Sequence, residues 1–210
     1  FGSSGERLAV ATALGVWTAE IPGAAPEMQL FEGQNGAWSA AFSPDGRLIA
    51  GGGDDGSVAV WDVTSGEQVA RLENHLYPVS ALAWSTDGRW VASGDWSGIV
   101  RVWAAETWSE YRVLPTDERI ERLRFDGSQL TALSVETSTT WDVEANSVLS
   151  QSRRTEDLGN NTDVTFDERR AFWDETAGVV EIWDNGEQIA MLEGFSSGGG
   201  GVAFVVIEKN

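Results

Sequence analysis

An all-β propeller of four-stranded blades is the architecture this sequence predicts, and three observations predict it. Tryptophans at positions 17, 61, 103, 141 and 183 each close a short β-like run, at a spacing of about 40 residues. Within each repeat, apolar and polar residues alternate over runs too short for helices, which signals half-buried strands. Turn-forming tetrapeptides mark the junctions: SPDG at 43–46, TSGE at 64–67, STDG at 85–88 and DNGE at 184–187.

The strands follow in order. A first-strand slot closing on an aromatic is filled by SAAF (39–42), ALAW (81–84), RLRF (122–125), DVTF (163–166) and GVAF (201–204). Second strands are RLAVAT (7–12), RLIAGG (47–52), RWVASG (89–94), QLTALS (129–134) and RAFWDE (170–175). Third strands carry the periodic tryptophans. More polar fourth strands are PEMQLFE (26–32), EQVARLE (67–73), SEYRVLP (109–115), SVLSQSR (147–153) and EQIAMLE (187–193).

The N-terminal copy lacks a first strand, and the C-terminal GVAFVV supplies one. Pairing the two would give five blades and remove two open sheet edges, each an aggregation hazard. The expected blades of a single domain (1–210) are 6–32 plus 200–207, 37–73, 78–115, 120–153 and 162–193. The alternative is a fragment of a larger propeller, since Phe1 falls where a first-strand aromatic would sit, upstream of the GSSG segment.

The formal charge is -19, and Lys209 is the only lysine. So acidic a surface repels phosphate backbones and anionic lipid, which argues against nucleic-acid partners. No apolar run approaches a bilayer's width, so membrane insertion is not expected. The chain has no cysteine, which excludes disulfides and thiolate metal sites. A soluble protein is expected, cytoplasmic in preference to secreted, with its oligomeric state left open.

Catalytic signals are weak. His75 is the only histidine, so any Ser-His-Asp system must use it. No nucleophile elbow, HExxH or P-loop is present. Acid pairs such as Asp54/Asp55, Asp117/Glu118 and Asp174/Glu175, with Asp95 and Glu121, could serve glycoside hydrolysis, but they occur at turns in a chain rich in carboxylates. Asp157, Asn160, Asn161 and Asp163 offer oxygens for calcium in the loop 153–163, yet match no EF-hand spacing, and Asn160-Asn161-Thr162 is a formal sequon. The expectation is no catalytic residue, no cofactor and no metal.

The segments AFSPDGRLIAGGGDDGSVAVWD (41–62) and NHLYPVSALAWSTDGRWVASGDWSGIVRVW (74–103) resemble the repeats of WD40 proteins. The resemblance implies a buried hydrogen-bonded tetrad of His, Ser or Thr, Asp and Trp within a blade. His75, Ser93 and Trp103 match it in the third blade, with Ser97 in the Asp slot. Asp55 and Trp61 match it in the second, where Gln34 stands for the His. It also implies a platform for protein recognition.

Counting back four residues from each first-strand aromatic gives Trp38, Ser80, Glu121, Thr162 and Gly200. In the resembled family this position opens onto the rim of the central channel. Trp96 is expected near the same face and Trp108 on the opposite one. A ring of Trp38, Ser80, Trp96, Glu121 and Thr162 binding a protein or peptide, one with basic residues, is the expected function, since exposed tryptophans anchor interfaces. A lectin-like small-molecule binder, or a structural or sensor domain of a larger protein, are the alternatives.

Overall fold

The computed structural model describes residues 7–20, 28–32, 36–153, 163–166, 169–174, 179–184, 187–193 and 203–205. Among them, twenty strands form five four-stranded antiparallel sheets. The first sheet holds β1 (Arg7–Thr12), β2 (Gly15–Glu20) and β3 (Met28–Phe31). The second holds β4 (Ala37–Phe42), β5 (Leu48–Gly53), β6 (Val58–Asp62) and β7 (Gln68–Leu72). The third runs through β8 (Val79–Trp84), β9 (Trp90–Asp95), β10 (Ile99–Ala104) and β11 (Ser109–Pro115). The fourth comprises β12 (Ile120–Asp126), β13 (Gln129–Ser134), β14 (Thr137–Asp142) and β15 (Ser147–Arg153). The fifth comprises β16 (Asp163–Phe166), β17 (Arg169–Asp174), β18 (Val179–Asp184) and β19 (Glu187–Glu193). The last strand, β20 (Ala203–Val205), joins the first sheet by pairing Val10 with Phe204, so the first and last described strands share one blade.

First strands of consecutive sheets pack side by side, β4 against β8 and β8 against β12. Fourth strands form the outer edges, and β15 is exposed at every position. The repeating tryptophans close the core from within: Trp61, Trp103 and Trp141 are buried. Trp84 and Trp90 are buried too, and Trp84 Nε1 donates to the Ala41 carbonyl at 3.1 Å, tying third blade to second. Trp108 packs edge-on against Trp84 with centroids 6.1 Å apart. The Trp173 and Trp183 side chains, and residues 154–162 with Asp157, Asn160, Asn161 and the sequon, lie outside the described residues.

Two glycines set the spacing between blades. A Cβ on Gly52 would stand 2.8 Å from the Val79 carbonyl oxygen, and one on Gly94 would stand 2.6 Å from the Ile120 side chain. Only glycine lets the next first strand approach this closely. At the opposite end, Ser43 Oγ donates to Asp45 Oδ1 at 2.6 Å while accepting from the Leu48 amide at 2.9 Å. Ser85, Asp87 and Trp90 repeat that turn in the third blade.

The second, third and fourth blades carry bulges on both their first and fourth strands. Between β4 and β5 the register runs Ala37↔Gly53 and then Ser39↔Gly52, so Trp38 is the extra residue. Ser80 and Glu121 are the extra residues at the same place in the next two blades. On the outer strands the extra residue falls opposite the periodic tryptophan and is apolar: Val69, Tyr111 and Leu149. A bulge kinks and twists its strand, which here spoils an open edge for pairing. No helix among the described residues is long and apolar enough to cross a membrane.

Candidate interaction face

The loops that enter first strands and the turns that join second to third strands lie at one end of the sheets, termed here the upper face. In the third blade this end is held by a buried polar network. His75 Nδ1 lies 2.7 Å from Asp95 Oδ2, and its Nε2 lies 2.7 Å from Ser93 Oγ. Trp103 Nε1 donates to Ser93 Oγ at 2.8 Å. A neutral ring with its hydrogen on Nδ1 satisfies every partner: Nδ1–H donates to the carboxylate and Nε2 accepts the Ser93 hydroxyl. Asp95 Oδ1 accepts three more bonds, from the Ser97 amide, the Ser97 hydroxyl and the Ile99 amide. Burial pushes the Asp95 carboxyl up, but the His75, Ser97 and Ile99 bonds outweigh it and hold it below the ordinary carboxylate range.

This corrects the reading of Ser97 as occupant of the Asp slot. Asp95 closes the network from the strand end, paired with Val79, where the second blade has Gly53 paired with Ala37. Asp55, grouped with Trp61 in the sequence reading, has another role. It accepts from the Ser57 amide and hydroxyl and from Arg71 at 2.6 Å. Ser93, His75 and Asp95 form a chain of the kind used in acyl transfer, but Ser93 is 0% exposed and its oxygen is already engaged by Trp103. No substrate reaches it.

The network's chain neighbours are the exposed residues. His75 is followed by Leu76, 90% exposed, and Tyr77, 52% exposed; Asp95 is followed by Trp96, 37% exposed. The Trp96 amide donates to the Pro78 carbonyl at 3.2 Å, so the two loops are joined by backbone as well as through His75 and Asp95. Both flanks are tight. A Cβ on Gly56 would meet the His75 carbonyl at 2.4 Å, and one on Gly98 would meet the Glu118 carbonyl at 2.7 Å. Thr116 donates its amide and its hydroxyl to the Gly98 carbonyl, both at 2.8 Å. The turn carrying Trp96 is therefore clamped between neighbouring blades.

Trp38 meets Trp96 edge-on, with centroids 5.2 Å apart and planes at 63°. Its Nε1 donates to Asp54 Oδ1 at 3.0 Å. From the fourth blade, the Arg119 guanidinium stands over the Trp96 ring, 4.9 Å from its centroid. Three blades thus contribute to one aromatic cluster. Leu14 and Val135, also exposed, sit on corresponding turns of the first and fourth blades. Carboxylates ring the cluster: Asp54, Asp55, Glu73, Asp117, Glu118 and Glu136 occupy these same turns and loops. Among the described residues, no group of three or more His, Cys, Asp or Glu is arranged to hold a metal.

The ring expected from the sequence is only partly assembled. Trp38 and Trp96 touch. Ser80 is half-buried, and its hydroxyl donates to the Ile120 carbonyl at 2.5 Å, fastening third blade to fourth. Its hydroxyl is thus engaged in the joint between blades. Glu121 is half-buried and has interactions of its own within the chain. Thr162 lies outside the described residues. Sequence reasoning missed Arg119, Leu76 and Tyr77. The available signal for Leu76 and Tyr77 was their place beside the network histidine, in a loop where large apolar residues have no strand to bury them.

A family model described as WD domain, G-beta repeat matches residues 26–62 and 66–104. Each match begins at the outer strand of one sheet and runs through three strands of the next, so the sequence repeat staples neighbouring blades together. A stretch of 52 residues is 40% identical to Pre-mRNA-processing factor 19 of Oryza sativa subsp. japonica, covering 25% of this chain and 10% of that protein. Two solved structures share the fold. The structure of U3-55K gives a TM-score of 0.59 at 21% identity, over 79% of this chain and 54% of that one. The RRP9 WD40 repeats give 0.58 at 22%, over 84% and 56%. The chain spans about half the length of those structures. Two matched repeats laid over adjacent blades, in a sheet architecture shared with those structures, show that the chain carries WD40 repeats and has a β-propeller fold.

Proposed function

We propose that this propeller is a non-catalytic scaffold that binds another protein through the upper face, with Leu76, Tyr77, Trp96 and Trp38 as the contact residues. One observation carries the reading. Among the described residues, every exposed large apolar side chain outside the outer strands lies on an upper-face turn or loop: Leu14, Leu76, Tyr77, Trp96 and Val135. Apolar anchors held on rigid backbone and rimmed by charge suit a protein partner, because little ordering cost remains to be met on binding. The surrounding carboxylates favour a basic partner. A lectin-like reading has less support, since the equivalent bulge positions hold Trp38, Ser80 and Glu121 rather than one repeated pocket residue. The domain is read as 1–210, with blades at 6–32 plus 200–207, 37–73, 78–115, 120–153 and 162–193.

Affinity capture tests the proposal, comparing wild type with a Leu76→Ser/Tyr77→Ser variant and reading captured proteins by mass spectrometry. A protein captured by wild type and lost by the variant, at an unchanged melting temperature, is the expected outcome. Equal capture by both proteins would refute it.

A further inference from the structure

We infer that the Trp96 ring is a guanidinium site, occupied in the free chain by Arg119, and that the partner presents an arginine on an extended segment which displaces it. The inference rests on the interaction-face reading above and names the chemistry of the partner.

Arg119 is exposed and stacked on Trp96 in a chain with 33 acidic residues, yet no ion pair among the described residues includes it. Arg89, which also stacks on a tryptophan, is held by Asp87 and by Glu144 at 2.7 Å. Arg119 has no such carboxylate anchor, so the ring is what holds its guanidinium. An exposed stack of this kind is weak and readily exchanged. The receptor, by contrast, is fixed. Trp96 sits on a turn clamped by Asp95, Pro78 and the Gly98–Thr116 contacts, and Trp38, steadied by Asp54, abuts it.

Charge complementarity points the same way. Arg71 of the second blade is already paired with Asp55 and Glu73, and Arg101, at the same level of the third, with Glu110. Asp54, Asp117, Glu118 and Glu136 remain as acidic surroundings for an incoming cation. Arginine fits better than lysine because its planar group both stacks on an indole and bonds carboxylates through its edge.

The test is fluorescence anisotropy with a fluorescein-labelled Gly-Arg repeat peptide, its Gly-Lys counterpart and its Gly-citrulline counterpart. The full chain is compared with Arg119→Gln, with Arg124→Gln as an equal charge change elsewhere on the fourth blade, and with Trp96→Leu and Trp96→Phe. Arg119→Gln should tighten the arginine peptide by roughly two- to fivefold more than Arg124→Gln does, since the resident competitor is gone. Trp96→Leu should abolish the preference for arginine over lysine, and Trp96→Phe, which keeps a ring, should retain it. Equal gains from Arg119→Gln and Arg124→Gln, or equal binding of the arginine and lysine peptides, would overturn the inference. If no peptide binds while the Leu76→Ser/Tyr77→Ser variant still loses a captured protein, the arginine inference falls and the interaction face stands. If the capture is equally insensitive, both fall.

Discussion

The second and third blades share a four-strand frame, a terminal tryptophan and a bulged first strand, yet they hold their upper turns in opposite ways. The third uses a buried chain, Trp103 to Ser93 to His75 to Asp95, with no member more than 6% exposed. The second has Gly51 at the serine position and places its acid, Asp55, outside, where Arg71 and Ser57 satisfy it. A buried pair costs a great deal to break because the survivor is left unpaired in a poor solvent. An exposed pair costs little because water replaces the partner. The difference also bears on the surface. The third blade's network ends in the two loops that display Leu76, Tyr77 and Trp96, the residues proposed as contacts.

The largest expected effect breaks the third blade. His75→Ala leaves Asp95 Oδ2 and Ser93 Oγ each buried without the histidine bond and should cost about 2–4 kcal/mol, measured by denaturant unfolding. Gly52→Ala tests the joint between the two blades. Its Cβ meets backbone at Val79 rather than a flexible side chain, and the expected loss is about 1–3 kcal/mol. Arg71→Ala, the second blade's counterpart to the histidine change, should cost no more than about 1 kcal/mol. A result near that for His75→Ala would erase the contrast.

Acid acts on both blades. The carboxyls of Asp45, Asp55, Asp87 and Asp95 all lie below the ordinary 3.8: burial pushes each up, and bonds from Ser43, Ser57, Ser85 and His75, with others, outweigh it. A folded value below the unfolded one means the stabilisation is complete above the unfolded value and disappears as pH falls through the folded one. Stability should therefore hold at neutral pH and decline below about pH 4, near the unfolded aspartate value. Asp95→Asn and Asp55→Asn should each flatten that acid limb, because each removes a carboxyl whose folded value is depressed.

Much of the frame was legible in the residues. Short alternating runs, Ser-x-Asp-Gly turns and periodic tryptophans follow directly from strand pleating and turn chemistry. The bulges were not, because one extra residue is invisible until the partner strand is in register. That is why Ser80 read as a rim residue when its hydroxyl is committed to Ile120. Asp95 was missed for a different reason. The resemblance to WD40 repeats put Ser97 in the acid slot, whereas the side chain reaching His75 comes from the strand end. Trp38 and Trp96 were both expected near the rim face, and they touch. Arg119 could not have been found from pattern alone, since a cation stacked on a ring leaves no periodic trace.

The central claim is that the third blade's buried network holds the exposed loops in place, and amide hydrogen exchange on wild type and His75→Gln tests it most directly. The expected result is a joint loss of protection at 74–78 and 95–98, with the 85–88 turn at the far end of the same blade unchanged. Wild-type protection at both loops in His75→Gln would contradict the claim and reduce the network to core filling.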